Sequence, residues 1–250
     1  MSKNWIRPDW QVHPQVHALI TNREGGVSLA PYASLNLGSH VGDAPEAVKE
    51  NRAILRKHLP SEPVWLNQVH GIAVFDADAW DGQSIPSADA VITTQVNRVL
   101  SIMTADCLPV LLVSTDARVI GAAHAGWRGL CAGVIEATVS AMRSQLSDPG
   151  LEVQAYMGPA IGPKAFEVGA EVRDAFIKQN AKSDSAFKAS HNDGKYLADI
   201  YQLARLRLHA LGVDDIKGGQ ACTYQDQQFF SYRRDQVTGR LASLLWIGNS

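Results

Sequence analysis

Short apolar runs dominate the first half of the chain, and their length restricts the folds that it can adopt. Runs of about four to eight apolar and β-branched residues, bounded by turn-forming residues, are typical of β-strands. The sequence predicts strands at residues 16–21, 64–69, 73–77, 90–94, 99–103, 110–113 and 119–124. Residues 114–118 join the last two runs and have the length and composition of a hairpin turn. We therefore expect several of these strands to be neighbours in one sheet system.

Helical patterns lie between and after these runs. Apolar residues that recur at three and four positions predict helices at residues 45–59, 129–146, 169–179 and 196–211, and strand signals return at 154–157, 229–232 and 241–247. Asp43 and Pro45 suit a helix start, and Gly212 suits the end of the fourth helix. Residues 178–195 are rich in small and polar side chains and are expected to form a surface excursion. Strands with inserted helices, without strict βαβ alternation, predict an α+β fold.

Composition and charge narrow the class of protein. Of the 250 residues 46% are hydrophobic, enough for a substantial core, and we predict one domain over residues 1–250. A formal charge of -2 gives no electrostatic reason to bind a nucleic acid polymer. The polar start is interrupted by Pro8 and Pro14, so it lacks the apolar centre of a secretory signal, and no later run reaches membrane-spanning length. We therefore expect a cytoplasmic protein that acts without a membrane. Its three cysteines are an odd number in no paired pattern, which fits reduced thiols.

Three residues at the edges of apolar runs suggest a metal site. His70, Cys107 and His124 could supply two imidazoles and one thiolate to one divalent metal. Three protein ligands leave a fourth position open, as in catalytic zinc sites, whereas structural zinc is normally closed by four ligands. The spacing alone is a weak signal, because the usual local pairs such as CxxC and HxxxH are missing. The hairpin at residues 114–118 supports the hypothesis, since it would bring Cys107 and His124 near one another.

Two other readings of these residues remain open. Cys107 with either histidine could act as a nucleophile and base without any metal. Copper is the alternative metal, but the eight histidines include no HxH pair. Met103 is the nearest methionine to Cys107, yet His124 is too distant for the single-loop ligand set of a blue copper site. Redox copper is therefore disfavoured.

Asp106, beside Cys107, is hard to explain by packing, because a carboxylate is rarely buried unless it is paired or functional. It could serve as a base, as a substrate acceptor or as a partner that orients an imidazole. Arg128 precedes a predicted helix whose N-terminus could hold an anion, and Arg23 lies beside a Gly pair that could do the same.

Two further segments carry polar groups suited to a ligand. Asn36 and His40 belong to a polar string without strand or helix periodicity, which offers several donors and acceptors. Arg233 follows the aromatic stretch 229–232 and could add a cation beside an aromatic face.

Three motifs carry a resemblance to a known family. QVHG at 68–71, TADCLPV at 104–110 and HAGWRG at 124–129 closely resemble the bacterial laccase-domain family, variously called polyphenol oxidase, multifunctional purine nucleoside phosphorylase or peptidoglycan editing factor. The likeness continues in TNREGGVS at 21–28, SLNLG at 34–38, GPAIGP at 158–163, KYLADI at 195–200 and FFSYRRD at 229–235. Together these motifs are highly specific, and the likeness runs through almost the whole chain.

The resemblance implies a single α+β domain with a β-sandwich core flanked by helices, and zinc held by His70, Cys107 and His124. It also implies phosphorolysis of adenosine, inosine, guanosine and methylthioadenosine, with adenosine deamination as a second activity. The expected catalytic residues are His70, Asp106, Cys107 and His124, and the expected substrate-binding residues are Arg23, Asn36, His40, Arg128 and Arg233. The expected partners are a nucleoside and phosphate, and the expected assembly is a monomer or homodimer.

Two other functions fit the same family names. A copper phenol oxidase would consume oxygen, although the shortage of histidines argues against it. A cysteine or zinc hydrolase acting on cell-wall precursors would cleave an amide without phosphate, and the open metal position suits that chemistry too. The sequence does not separate this hydrolase from the phosphorylase, because both need an activated oxygen nucleophile and a pocket for sugar and phosphate groups.

Overall fold

The computed structural model describes residues 5–249 and places two packed sheets between helices. The strands are β1 Val16–Ile20, β2 Pro63–Val64, β3 Val74–Asp76, β4 Ala90–Thr93, β5 Val99–Thr104, β6 Leu108–Ser114, β7 Ile120–Ala125, β8 Val153–Met157, β9 Glu167–Gly169, β10 Phe187–Ala189, β11 Lys195–Ala198, β12 Ile216–Gly218 and β13 Leu241–Ile247. The α-helices are α1 Pro45–Arg56, α2 Trp127–Ala132, α3 Val134–Gln145, α4 Ala170–Gln179, α5 Ile200–Ala210 and α6 Tyr232–Asp235.

Two sheets pack face to face. One has the strand order β1-β13-β5-β2, and the other has the order β12-β8-β6-β7-β4-β3. Leu100 and Ile102 of β5 face Leu111 and Val113 of β6 in one buried cluster between the sheets. Because side chains alternate along a strand, the intervening residues point to the outer faces. The predicted sandwich core is confirmed.

Helices cover the outer faces of the two sheets. Leu108, Val110 and Leu112 of β6 belong to a second buried cluster together with residues of α3 and α5. On the other side, Leu55 of α1 packs with Val99 of β5. A small third sheet, in the order β10-β11-β9, lies apart from the sandwich strands. This arrangement confirms the predicted α+β class.

Two predicted helices differ from the observed ones: the first begins earlier, at Trp127, and is divided, and the second begins later. The segment 129–146 is divided at Gly133, whose φ of +106° ends α2 and starts α3. The segment 196–211 becomes helical only at Ile200, because residues 195–198 form β11 and pair with β9 and β10. The Asp199 side chain accepts a hydrogen bond from the Gln202 amide and caps the start of α5.

Two predicted strands are also corrected. The strand at 229–232 is wrong: Phe229 and Phe230 are buried in a loop, and Tyr232 starts α6 because the Ser231 hydroxyl caps the Arg234 amide. In the segment 64–69 only Val64 belongs to a strand. Part of the expected surface excursion forms β10, so that stretch is partly regular. None of the helices within residues 5–249 has the length and apolar character needed to cross a bilayer.

Asn51 of α1 stabilises, through side-chain hydrogen bonds, the loop that carries Asn36 and His40. Its side chain is fully buried, and Nδ2 donates to the Ser28 hydroxyl at 2.8 Å and to the Asn36 carbonyl at 2.9 Å. Oδ1 accepts from the Val27 amide at 2.8 Å. The amide of Asn51 thus replaces the backbone partners that an irregular loop lacks.

We expect Asn51→Ala to lower the free energy of unfolding by about 3 kcal/mol, because several buried donors and acceptors lose their partners at once. Urea denaturation followed by circular dichroism measures this change. Asn192→Ala is the control, since Asn192 is exposed and its side chain makes one bond, to Glu167. A loss for Asn51→Ala no greater than that of the control would contradict the structural role of Asn51.

Candidate metal centre

Three potential metal ligands come together at one end of the sandwich. Cys107 directly precedes β6, and His124 lies near the end of β7. The two strands pair antiparallel with Leu108 opposite Ala125, so the predicted hairpin places Cys107 alongside His124. His70 lies in a loop, and its own backbone is left-handed, with a φ of +63°. The donor atoms of the three residues all lie within 4.8 Å of one another.

The geometry of the cluster fits a metal ion. The Cys107 Sγ lies 3.8 Å from His70 Nε2. The ring centroids of His70 and His124 are 4.7 Å apart, and the ring planes make an angle of 74°. Zinc bonds of about 2.0 Å to nitrogen and 2.3 Å to sulfur place neighbouring donors roughly 3.3–3.5 Å apart in a tetrahedral site. His70 is exposed, so its ring is free to turn toward the other two donors. Two imidazoles and a thiolate suit zinc, and they also suit copper.

Gly126 leaves room for this cluster. A Cβ at this position would lie 2.9 Å from His70 Cδ2, 3.1 Å from Cys107 Sγ and 3.5 Å from His124 Cε1. Its φ of -61° is open to any residue, so the requirement is for space and not for backbone freedom.

We expect Gly126→Ala to weaken metal binding by about 10-fold or more, because the added methyl group pushes two donors away from their common centre. Chelator competition monitored by a zinc indicator measures the affinity. Gly150→Ala is the control, since a Cβ there would meet only the side chain of Asp148 at 3.6 Å. Equal affinities of the two variants would contradict the proposed crowding.

Asp89 lies against the candidate site, although no sequence motif points to it. Its side chain is fully buried, and Oδ1 lies 2.8 Å from His124 Nδ1. Oδ1 also accepts from the His70 amide at 2.8 Å, and Oδ2 accepts from the Gly71 amide at 2.6 Å. One carboxylate therefore orients the His124 ring, with Nε2 toward the cluster, and fixes the loop of His70. The imidazole-orienting role that the sequence offered to Asp106 is thus filled by Asp89.

The charges of the cluster are strongly coupled. Burial alone would raise the pKa of the Cys107 thiol, but His124 and His70 outweigh it and lower that pKa to about 6. Burial would lower the pKa of His124, but Cys107 and Asp89 raise it to about 9. Both shifts favour a thiolate beside an imidazolium. The thiolate is the form of cysteine that binds metals and reacts as a nucleophile.

A cavity of about 380 Å³ opens beside the cluster. It has the size of a small-molecule site. Its walls are formed by His40, Gln68, His70, Met103, Thr104, Ala105, Asp106, Cys107, His124, Ile161, Phe166, Tyr232, Arg233 and Arg240. Of the expected substrate-binding residues, the cavity therefore brings together His40 and Arg233.

The other three expected substrate-binding residues lie outside this wall. Arg23 donates from Nε to the Ala33 carbonyl at 2.9 Å. Asn36 is buried, and its Oδ1 accepts from the Arg240 amide at 2.9 Å. Arg128 is exposed and lies over the ring of its neighbour Trp127. Asn36 thus supports a cavity residue from behind, whereas Arg23 and Arg128 do not face the cavity.

Asp106 links distant parts of the chain at the cavity wall. Its Oδ1 accepts from the Thr223 hydroxyl at 2.6 Å, and its Oδ2 accepts from the Arg233 amide at 2.6 Å. Its carbonyl accepts from the Ile161 amide at 2.9 Å, and its φ is +92°. Both carboxylate oxygens are therefore engaged in holding the segments that supply Ile161 and Arg233.

The chain is similar to known proteins over nearly its whole length. A sequence model of the family described as multi-copper polyphenol oxidoreductase laccase matches residues 17–248. The chain is 51% identical over 244 residues to a purine nucleoside phosphorylase of Pseudomonas aeruginosa, which covers 97% of this chain and 98% of that protein. It is 52% identical over 245 residues to the purine nucleoside phosphorylase YfiH of Escherichia coli (strain K12), with 97% and 98% covered.

Solved structures share the fold. The structure is similar to a crystal structure of a Neisseria meningitidis protein, with a TM-score of 0.93 at 46% identity, over 99% of this chain and 100% of that chain. It is also similar to YlmD from Geobacillus stearothermophilus, with a TM-score of 0.90 at 29% identity, over 100% and 98% of the two chains.

Proposed function

The chain belongs to the multi-copper polyphenol oxidoreductase laccase family, and we propose that it is a zinc-dependent purine nucleoside phosphorylase. The proposed substrates are adenosine, inosine, guanosine and methylthioadenosine, with adenosine deamination as a side activity. Relatives named purine nucleoside phosphorylase, at 51% and 52% identity over nearly the whole chain, support the reaction class. The resemblance that the three motifs predicted is confirmed at the level of the family.

The observation that carries the proposal is the shared wall of the cluster and the cavity. His70, Cys107 and His124 line the same space as Arg233 and Arg240, so metal donors and cations face one small ligand. Phosphorolysis needs such a combination, because it joins an anionic nucleophile to a sugar while a base departs with growing negative charge.

The apolar side of the cavity suits a purine. Phe166 and Tyr232 offer aromatic faces, and Ile161 and Met103 add aliphatic surface. Flat bases stack favourably on such side chains, by about 1–3 kcal/mol per base in nucleic-acid complexes. The ribose would then lie between this wall and the polar residues.

The chain's own polar groups have separable tasks in the proposed reaction. Burial, Arg240, Arg52 and His124 all lower the pKa of His40, so this ring is neutral at pH 7 and can donate or accept a hydrogen bond from the ribose or the base. Asp106 positions Arg233 and the cavity wall through its two carboxylate bonds. When bound by the three donors, zinc would supply Lewis acidity beside the reacting atoms.

The test is chromatography of inosine incubated with phosphate and the zinc-loaded protein. We expect hypoxanthine and ribose 1-phosphate, in amounts that require phosphate, and adenosine should additionally yield inosine. Protein treated with a chelator is the control, and added zinc should restore its activity. Absence of both products would overturn the proposal. Amide cleavage that does not need phosphate would favour the alternative hydrolase, and oxygen uptake by a copper-loaded sample would favour the alternative oxidase.

The cytoplasmic location and the assembly as a monomer or homodimer remain predictions.

A further inference from the structure

Arg240 is a cation that the structure holds rigidly at the cavity wall. Its Nη1 donates to the Thr238 and Gly239 carbonyls, both at 3.1 Å. Its aliphatic stem packs on Gly38, where a Cβ would lie 2.7 Å from Arg240 Cγ. Its amide donates to Asn36 Oδ1 at 2.9 Å. Main chain, stem and head group are therefore all fixed before any ligand binds.

The positive charges of Arg240 and Arg233 have no carboxylate partner within residues 5–249. Neither guanidinium has a carboxylate oxygen within 4.0 Å, although Arg233 Nη1 donates to the Glu167 carbonyl at 2.9 Å. The adjacent Arg234 makes a contrast, since its Nη2 pairs with Asp235 at 2.9 Å. Asp106 and Cys107 act on the charge of Arg240 only from a greater distance. A half-buried guanidinium without a direct ion pair retains donors for an anionic ligand.

We propose that Arg240, together with Arg233, forms the subsite for a phosphoryl group in the cavity beside His70, Cys107 and His124. This inference rests on the proposed function, because phosphorolysis requires a phosphate next to the sugar. The same chemistry would recognise the diphosphate of a nucleotide-linked substrate. Arginine suits this task because its planar group can donate two parallel hydrogen bonds to phosphate oxygens.

The surroundings of the proposed subsite favour a dianion. His40 lies close enough to Arg240 and Arg52 for both cations to act on its charge. Arg52 itself donates from Nε and Nη2 to the Leu37 carbonyl and stacks on Trp65, and its charge is partly balanced by Glu62. Arg240 and Arg52 therefore add positive potential beside the proposed subsite, and Asp106 and Cys107 oppose it in part.

The experiment compares Arg240→Met with Arg118→Met in the zinc-loaded protein. Arg118 is an exposed arginine in the turn between β6 and β7, so its replacement removes one charge without touching the cavity. Calorimetric titrations with inorganic phosphate alone and with uridine diphosphate alone give the affinities. Steady-state kinetics give separate KM values for phosphate and inosine, and zinc content is measured for each variant.

We expect Arg240→Met to weaken phosphate binding and to raise the KM for phosphate by about 30-fold, with the KM for inosine changed less than about 3-fold. Arg240→Lys should fall between this variant and the native protein, because it keeps the charge but loses the paired donors. It also keeps the test decisive if Arg240→Met fails to fold. Phosphate and uridine diphosphate affinities equal to those of Arg118→Met would overturn the subsite. Loss of uridine diphosphate binding alone would support the subsite for a nucleotide-linked ligand, even where the native protein releases no hypoxanthine and the proposed phosphorolysis fails.

Discussion

Replacement of Cys107 by Ala is expected to remove the bound metal and to lower the rate of inosine phosphorolysis by at least about 100-fold. Cys107 is the only thiolate among the three donors, and its pKa of about 6 makes it anionic at neutral pH. Without it, two imidazoles alone would have to hold the ion. Elemental analysis of purified protein and the chromatographic assay measure the two effects.

Cys131→Ala is the matched control for this prediction. Cys131 lies on α2, outside the cavity wall, and burial raises the pKa of its thiol. This variant should keep both zinc and activity. Full metal occupancy in Cys107→Ala would contradict the assignment of the ligand. A native protein that is active without any metal would instead favour catalysis by Cys107 paired with a histidine. In that case Cys107→Ala would lose activity with no change in metal content.

The convergence of the three donors could be predicted from the sequence because two of them belong to one local hairpin. Cys107 and His124 flank strands joined by only a short turn, so pairing β6 with β7 nearly determines their proximity. The sequence also predicts His70 as a ligand because it ends an apolar segment, although Val64 is the only residue of the predicted 64–69 strand that pairs in a ladder. The site therefore depends on a loop as much as on strand ends.

Asp89 and Arg240 could not be found in this way because long-range pairing places them. Ala90 of β4 lies opposite Ala123 of β7, and this register brings Asp89 to His124. Leu241 of β13 lies opposite Thr104 of β5, so the preceding residue reaches the cavity. The only local signal for Asp89 is a carboxylate directly before an apolar run, and it has no candidate ligand beside it in sequence as Asp106 has in Cys107. No periodicity or motif spacing distinguishes Arg240 from an ordinary surface arginine.

Replacement of Asp89 by Asn is expected to lower zinc affinity by about 10- to 100-fold, although Asp89 is not itself a donor of the three-ligand cluster. The carboxylate accepts from the His70 amide and lies against His124 Nδ1 through Oδ1, while Oδ2 accepts from the Gly71 and Val69 amides. An asparagine has one acceptor oxygen, so its NH2 group must face donors on one of these two sides. The ring of His124 or the loop of His70 must then move from its position.

Chelator competition measures the zinc affinity of Asp89→Asn, and urea denaturation of the metal-free variant separates the effect on the fold. We expect unfolding to become easier by about 2–3 kcal/mol, because buried amides lose an acceptor. Asp116→Asn is the control, since Asp116 is exposed and pairs with Arg118 in the turn of the β6–β7 hairpin, at the end opposite the ligands. If Asp89→Asn were destabilised but bound zinc as tightly as this control, Asp89 would be a structural anchor without influence on the metal. A joint loss of affinity and stability would show that one carboxylate couples the folding of the His70 loop to the orientation of His124.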